Sequence, residues 1–135
     1  MELMTDYNLT TYRVFIDSSS HLDILIDQLN KDLDKLLGEA GVQEFAFITA
    51  WNPFSVEVSD SENEKANADL ASDLDLYKVY KGLGIPAQPS EWDAEESYFV
   101  LGITKTKAKE LGKKYRQNAI VYGQYGSKPE VLKLV

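Results

Sequence analysis

The segment from residue 44 to residue 51 constrains the fold more than any other part of the sequence. Its residues, EFAFITAW, are apolar at most of the odd and the even positions. Because a strand alternates its side chains between two faces, this pattern is typical of a central strand that is covered on both faces. The pair Asn52-Pro53 ends the segment, since proline lacks a backbone donor and restricts the residue before it. The sequence therefore predicts a central sheet with helices packed on at least one face.

Four further segments are rich in β-branched and aromatic residues and are predicted to be strands. They are residues 12–16, 76–80, 97–103 and 119–122.

Three segments are predicted to be helices. Apolar residues recur at helical spacing from Leu22 to Leu37, and Gly38 follows as a C-terminal cap. A second helix, from about residue 62 to residue 75, begins at a capping box of Ser59 and Glu62, and its inward stripe starts with two asparagines. Thr104 is predicted to cap a third helix.

The order of these elements predicts the fold class α/β (α+β). We expect a single two-layer domain over residues 1–135, with a mixed sheet of about four to five strands and about three helices. The glycine- and proline-containing stretch 82–92 is interpreted as an internal connection, because neither flank could fold alone.

The composition excludes several classes of site and partner. The chain has no cysteine, which excludes disulfides, thiol nucleophiles and cysteine-based metal centres. Its 22 acidic and 14 basic residues give a net charge of −8, which argues against broad binding to nucleic acid or to an anionic membrane. The N-terminus does not resemble a signal peptide and no apolar run is long enough to span a bilayer, so a cytoplasmic location is predicted.

Basic residues are concentrated in the third predicted helix. Lys105, Lys109 and Lys113 share one face by their spacing. This face is interpreted either as a solvated helix surface or as a local attraction for a phosphate group or an acidic partner.

Polar side chains that suit recognition of a planar polar group occur where the predicted strands end. A carboxamide offers a donor and an acceptor together, and an indole ring can stack on a planar ligand. Ligands gather at the strand ends of open α/β sheets, so we expect these side chains to share one edge. The predicted ligand-binding residues are Thr49, Trp51, Asn52, Asn63, Asn67, Trp92, Glu95, Gln117 and Asn118. The alternative is that the carboxamides only satisfy backbone groups of the loops.

Other chemistries have weaker support in the sequence. Glu95 or Glu96 would be the general base if the protein were an enzyme. Together with Asp93 they could bind Mg²⁺, although adjacent carboxylates in an acidic chain are more typical of a solvated edge, and no metal site or cofactor is predicted. The single histidine, His21, lies among serines and is interpreted as a surface residue, which argues against a Ser-His-Asp triad.

Several blocks of the sequence resemble a known family. They are FITAWNP at residues 47–53, Asn63 and Asn67 with Leu70, Trp92 with Glu95 and Ser97, and QNAI at residues 117–120. These blocks are similar to those of a small bacterial and phage family, the domain of unknown function 3293. One extra residue separates Trp92 from the Glu-Ser pair, so either Glu95 or Glu96 could be the matching carboxylate. The resemblance implies a compact single domain and no assigned reaction.

The sequence thus predicts a small-ligand-binding domain. Its ligand would be a nucleotide or a nucleobase-like polar molecule, and in a phage such a domain could sequester a nucleotide signal. A hydrolase that uses Glu95 or Glu96 as general base and a protein-interaction domain with an acidic surface are the alternatives. A homo-oligomer is left open.

Overall fold

Seven strands form one antiparallel sheet in the computed structural model, which describes residues 3–87 and 93–135. The strands are β1 (Thr11–Phe15), β2 (His21–Ile24), β3 (Glu44–Ile48), β4 (Lys78–Ile85), β5 (Glu95–Leu101), β6 (Ala119–Gln124) and β7 (Glu130–Lys133). Their order in the sheet is β2-β1-β4-β5-β3-β6-β7. The strand predicted from the EFAFITAW segment is β3, and it lies inside the sheet between β5 and β6.

Four α-helices accompany the sheet in the described residues. They are α1 (Leu3–Leu9), α2 (Lys31–Ala40), α3 (Asp60–Asp73) and α4 (Lys105–Lys114), and a short 3-10 turn covers Pro53–Ser55. None of the helices in these two ranges is both long and apolar enough to cross a membrane.

The sheet is strongly curled. The rings of Tyr12 in β1 and Phe47 in β3 meet edge to face with their centroids 5.2 Å apart, although β4 and β5 lie between these strands. In a flat sheet three strand spacings would separate them by about 14 Å. At the opposite edges, the backbone N–H of Asp27 after β2 donates to the carbonyl of Pro129 before β7 over 2.9 Å. The curl therefore brings the two edges of the sheet together.

The curl produces two apolar clusters, one on each face. The concave cluster contains Tyr12, Phe47 and Phe99 and is covered by Leu33 and Leu37 of α2. The convex cluster contains Ala46, Ile48, Val100 and Ile120, and α3 and α4 cover it. Because both faces of β3 are covered, the double apolar pattern of this strand is explained.

The predicted sheet and layers are corrected by the structure. The α+β class is confirmed, but the sheet has seven strands rather than four to five, and its pairings are antiparallel rather than mixed. Four helices replace the three predicted, and they lie on both faces rather than in one layer. Gly82 and Gly84 belong to β4 and not to a connection. The sequence analysis did not predict α1 or β7.

The helix predicted from Leu22 to Leu37 is wrong in its first half. Leu22 lies in β2, where the neighbouring Asp23 receives two hydrogen bonds from Arg13 of β1, at 2.9 and 3.1 Å. The helix begins at Lys31 after an Asn30 cap and ends at Ala40, and its C-terminal cap is Gly41 rather than Gly38. The buried apolar residues Leu22 and Ile24 are two apart, and Asp23 forms a cross-strand ion pair with Arg13. Both features favour a strand, and they outweigh the helical spacing of the leucines.

The two other predicted helices are confirmed with shifted ends. The Ser59 side chain accepts from the backbone of Glu62 over 3.2 Å at the start of α3. Thr104 likewise accepts from the backbone of Lys107 over 3.2 Å at the start of α4. Local capping chemistry therefore identified both helix starts.

We predict that Gly82→Ala destabilises the fold far more than Gly84→Ala. A Cβ at Gly82 would lie 2.6 Å from the carbonyl of Arg13 and 2.7 Å from the Phe47 ring, whereas the nearest atoms at Gly84 are 4.0 Å away. We expect Gly82→Ala to lower the free energy of unfolding by more than about 2 kcal/mol and Gly84→Ala by less than about 1 kcal/mol. Urea unfolding of both variants measures the difference, and equal losses would contradict the role of Gly82 in the curl.

Candidate functional site

Two buried asparagines hold α3 against the segment that follows β3. The Asn67 side chain accepts from the backbone of Ala50 over 2.8 Å and donates to the carbonyl of Glu96 over 2.9 Å. The Asn63 side chain accepts from the backbone of Asn52 over 2.7 Å and donates to its side-chain oxygen over 2.9 Å. Helix propensity does not explain these two asparagines. They are explained by the buried backbone groups of the neighbouring segment, which would lack hydrogen-bond partners without them.

Thr49 and Gln117 have similar partners. The Thr49 hydroxyl donates to the carbonyl of Glu96 over 2.7 Å and accepts from the backbone of Trp51 over 3.0 Å. The Gln117 side chain donates to the carbonyls of Trp51 and Tyr115, both over 3.2 Å. The polar atoms of Thr49, Asn63 and Asn67, and the amide nitrogen of Gln117, are thus engaged with neighbouring protein groups, chiefly backbone.

Glu95 and Glu96 face opposite sides of the sheet. Glu95 is the first residue of β5 and lies on the same face of the strand as Ser97 and Phe99. Phe99 belongs to the concave cluster. The Glu95 side chain is half-buried, whereas Glu96 is exposed on the convex side. Glu95 is therefore the less exposed of the two carboxyl groups and the better candidate for a site.

Burial raises the pKa of Glu95 to about 7, and the side chain of Asn52 beside it lowers this pKa in part. Among the described residues, no cation contributes to this pKa shift of Glu95. A carboxyl group with this pKa is present in both its charged and its neutral form near neutral pH.

Tyr7 of α1 completes the surroundings of Glu95. Burial raises the pKa of the Tyr7 phenol, hydrogen bonds with the side chains of Ser55 and Asn118 lower it in part, and the charge of Glu95 raises it. The backbone of Tyr7 is held by the Tyr12 hydroxyl, which donates to the Tyr7 carbonyl over 2.6 Å.

Ser55 and Asn118 are joined directly. The Asn118 side chain donates to the Ser55 hydroxyl over 2.9 Å. We refer to Tyr7, Asn52, Ser55, Glu95 and Asn118 as the Glu95 cluster. It contains one carboxyl, two hydroxyls and two carboxamides from four distant parts of the chain, and its carboxamides are buried while the other three side chains are half-buried.

The turn that carries Asn52 and Ser55 has an unusual backbone. Three of its four residues lie in the left-handed region, with φ of 45° at Asn52, 53° at Phe54 and 60° at Ser55. This region is uncommon for residues other than glycine and is an outlier for a bulky side chain.

The structure separates the predicted site residues into two groups. Asn52, Glu95 and Asn118 meet in the Glu95 cluster, whereas Thr49, Asn63, Asn67 and Gln117 connect the chain segments around it. Trp51 is half-buried just beyond β3. Trp92 lies outside the described residues.

Sequence reasoning did not assign Tyr7 and Ser55 to the site. Tyr7 belongs to a helix that was not predicted, and it joins the cluster only because the sheet curls. Ser55 follows the Asn52-Pro53 pair closely, which was the one signal that could have pointed to it.

Glu96 lines a different feature. It borders a surface groove of about 420 Å³ between α3 and strands β4 and β5. The groove is also lined by Phe15, Glu64, Lys81, Leu83 and Tyr98.

Three of the five lysines of α4, one of them on the predicted basic face, pair with acidic residues of the described ranges. Lys114 contacts Asp73 of α3 over 2.7 Å, Lys105 contacts Glu130 over 3.4 Å, and Lys107 contacts Glu110 over 3.7 Å. Such exposed pairs contribute little to stability. They do reduce the positive field that an acidic partner would meet.

Comparison with known proteins gives one match. A family model described as "Protein of unknown function (DUF3293)" matches residues 48–120, which is more than half of the chain. The resemblance predicted from the sequence blocks is thereby confirmed. No curated protein and no solved structure matches the chain.

We predict that Asn67→Ala lowers the free energy of unfolding by about 2–4 kcal/mol, because the buried backbone N–H of Ala50 and the carbonyl of Glu96 lose their partner. Glu64→Ala is the control, since Glu64 is an exposed residue of the same helix and should change stability by less than about 0.5 kcal/mol. Urea unfolding measures both. If Asn67→Ala were as stable as the wild type, the Asn67 side chain would not hold the segment that follows β3.

We predict that Glu95→Gln becomes increasingly more stable than the wild type as pH rises from 5 to 8. The raised pKa means that the folded state favours the neutral carboxyl. The contribution of the neutral Glu95 carboxyl to the free energy of unfolding is therefore complete below about pH 4.5 and is lost as pH rises through about 7. Glutamine is neutral throughout, and we expect an advantage of about 1–3 kcal/mol at pH 8.

The control for this prediction is Glu96→Gln, the exposed neighbour on the opposite face. Thermal and urea unfolding at several pH values should give it a profile parallel to that of the wild type. A parallel profile for Glu95→Gln as well would contradict the raised pKa of Glu95.

Proposed function

We propose that this chain, which belongs to the domain of unknown function 3293 family, is a binding domain for a small nucleobase-like ligand held by the Glu95 cluster. The observation that carries the proposal is the half-buried carboxyl group of Glu95, whose pKa is raised to about 7 and which has carboxamide and hydroxyl groups beside it. Keeping such a group in a folded protein lowers its stability, which is typical of functional sites.

The chemistry of the cluster suits a ligand edge with two adjacent N–H groups. A carboxylate accepts two parallel hydrogen bonds. The carboxamide nitrogen of Asn52 and the carboxamide oxygen of Asn118 can complement the remaining polar atoms of a ring. A guanine edge, with its ring N–H beside an amino group, has this pattern of donors. Glu95, a negative group in a chain of net charge −8, does not favour a phosphate at the same point. In a nucleotide, the base is therefore the part that the cluster would bind.

Guanosine and inosine form a matched pair of ligands for testing this proposal, because inosine has the ring N–H but lacks the amino group. We expect titration calorimetry to detect guanosine binding and at least about tenfold weaker inosine binding, since one charge-assisted hydrogen bond is lost. Glu95→Gln should abolish the preference, and Glu96→Gln should retain it. The absence of binding by guanosine, adenosine, cytidine and uridine alike would overturn the proposal.

The affinity for guanosine should fall on acidification. Protonation of Glu95 removes an acceptor, so with a pKa of about 7 the dissociation constant at pH 5.5 should exceed that at pH 8 by about thirtyfold. Calorimetry at both pH values measures this ratio. A pH-independent affinity would contradict a role for the Glu95 carboxylate.

A hydrolase is the second candidate function, and the pKa of Glu95 favours it. A carboxylate that titrates near the working pH is suited to activate water, and the neighbouring carboxamides could donate to a developing negative charge. Incubation of the wild-type protein with nucleotides, followed by chromatography, separates the two functions. If the wild-type protein forms a product and Glu95→Gln does not, the result supports an enzyme. If the nucleotide stays unchanged and bound, the result supports a domain that sequesters its ligand.

A further inference from the structure

The turn next to the Glu95 cluster holds an aromatic residue in a costly conformation. Phe54 has a φ of 53°. For a bulky residue this conformation is strained, and it persists only where the surrounding structure imposes it. Glycine or asparagine would adopt it with less strain. Phenylalanine at this position therefore has no explanation in backbone preference.

The surrounding structure does impose this conformation. The backbone N–H of Phe54 donates to the carbonyl of Arg116 over 2.7 Å, and that of Ser55 donates to the carbonyl of Asn52 over 2.9 Å. The N–H of Val56 in turn donates to the carbonyl of Pro53 over 3.1 Å. One of these backbone hydrogen bonds fixes the turn on the connection between α4 and β6, and the other two lie within the turn.

The Phe54 ring gains little from this arrangement. Half of the residue, 50%, is exposed to solvent, although burial of a phenylalanine would stabilise the fold. Backbone strain and the exposure of half of an aromatic residue are two separate costs at Phe54.

The position of Phe54 relates it to the site. Asn52 and Ser55, both members of the Glu95 cluster, lie on either side of it in the same turn. Adjacent Cα atoms are about 3.8 Å apart, so an aromatic side chain at residue 54 starts within one residue of the Ser55 hydroxyl. Phe54 is therefore the direct chain neighbour of a cluster residue, and it belongs to the same turn as two of them.

We propose that Phe54 is the stacking residue of this site, and that the left-handed turn holds its ring where it can cover one face of a planar ligand bound at Glu95. This inference rests on the proposed function and adds a requirement for a flat ring with a π face. Aromatic stacking discriminates little between bases, so Phe54 would contribute affinity rather than selectivity. The Glu95 cluster would select the base by its hydrogen-bonding edge.

The inference is tested with guanosine as the probe and with Phe54→Gly and Phe54→Asn as variants. Both residues tolerate the left-handed region, so both variants should keep or raise the thermal midpoint of the wild type. Both should bind guanosine at least about fivefold more weakly, because the ring is absent. Phe54→Tyr should retain the affinity. Val56→Ala, at a residue that is 62% exposed in the same segment, is the matched control.

The outcomes separate the two proposals. Wild-type guanosine affinity in folded Phe54→Gly and Phe54→Asn would overturn the stacking role and leave the proposed function intact. If the wild-type protein binds none of guanosine, adenosine, cytidine and uridine, the proposed function is overturned, and the stacking role with it. Weaker binding in both variants, with a maintained thermal midpoint and an unchanged Val56→Ala, would support the inference.

Discussion

The packing of Phe47 over Gly82 is the contact on which the rest of the structure depends. A glycine in β4 leaves room for the ring to cross the sheet and meet Tyr12 of β1. The sheet curls around this contact, and its two edges meet at Asp27 and Pro129. The curl also brings α1 against β7, so that Tyr7 reaches Ser55 and Asn118. Without the curl, Tyr7 would be separated from Ser55 and Asn118, which lie next to the neighbouring strands β3 and β6.

Carboxamides have two roles in this protein, and hydrogen-bond partners distinguish them. Asn63 and Asn67 use both polar atoms on neighbouring protein groups, which makes them part of the scaffold. Asn52 has both roles, because its backbone and side-chain oxygen are held by α3 while its side chain also lies against Glu95. The scaffold asparagines therefore act on the site by fixing the turn that carries Asn52 and Ser55.

Three features near this turn lower stability and coincide in space. Glu95 is half-buried with a raised pKa, the backbone of Asn52, Phe54 and Ser55 is left-handed, and the Phe54 ring is half-exposed. Each would be relieved by a simple substitution. Their coincidence at one end of the sheet is the physical basis of the proposed site.

The sequence alone determined the elements whose signals are local. The double apolar pattern of β3 and the caps at Ser59 and Thr104 depend on neighbouring residues, and they identified a central strand and two helix starts. Only the tertiary structure decided that the leucine-rich segment from Leu22 begins as a strand, because its partner is β1. The same holds for Tyr7 and for the choice of Glu95 over Glu96. Both depend on the curl, which arises from contacts between residues far apart in the chain and leaves no periodic trace in the sequence.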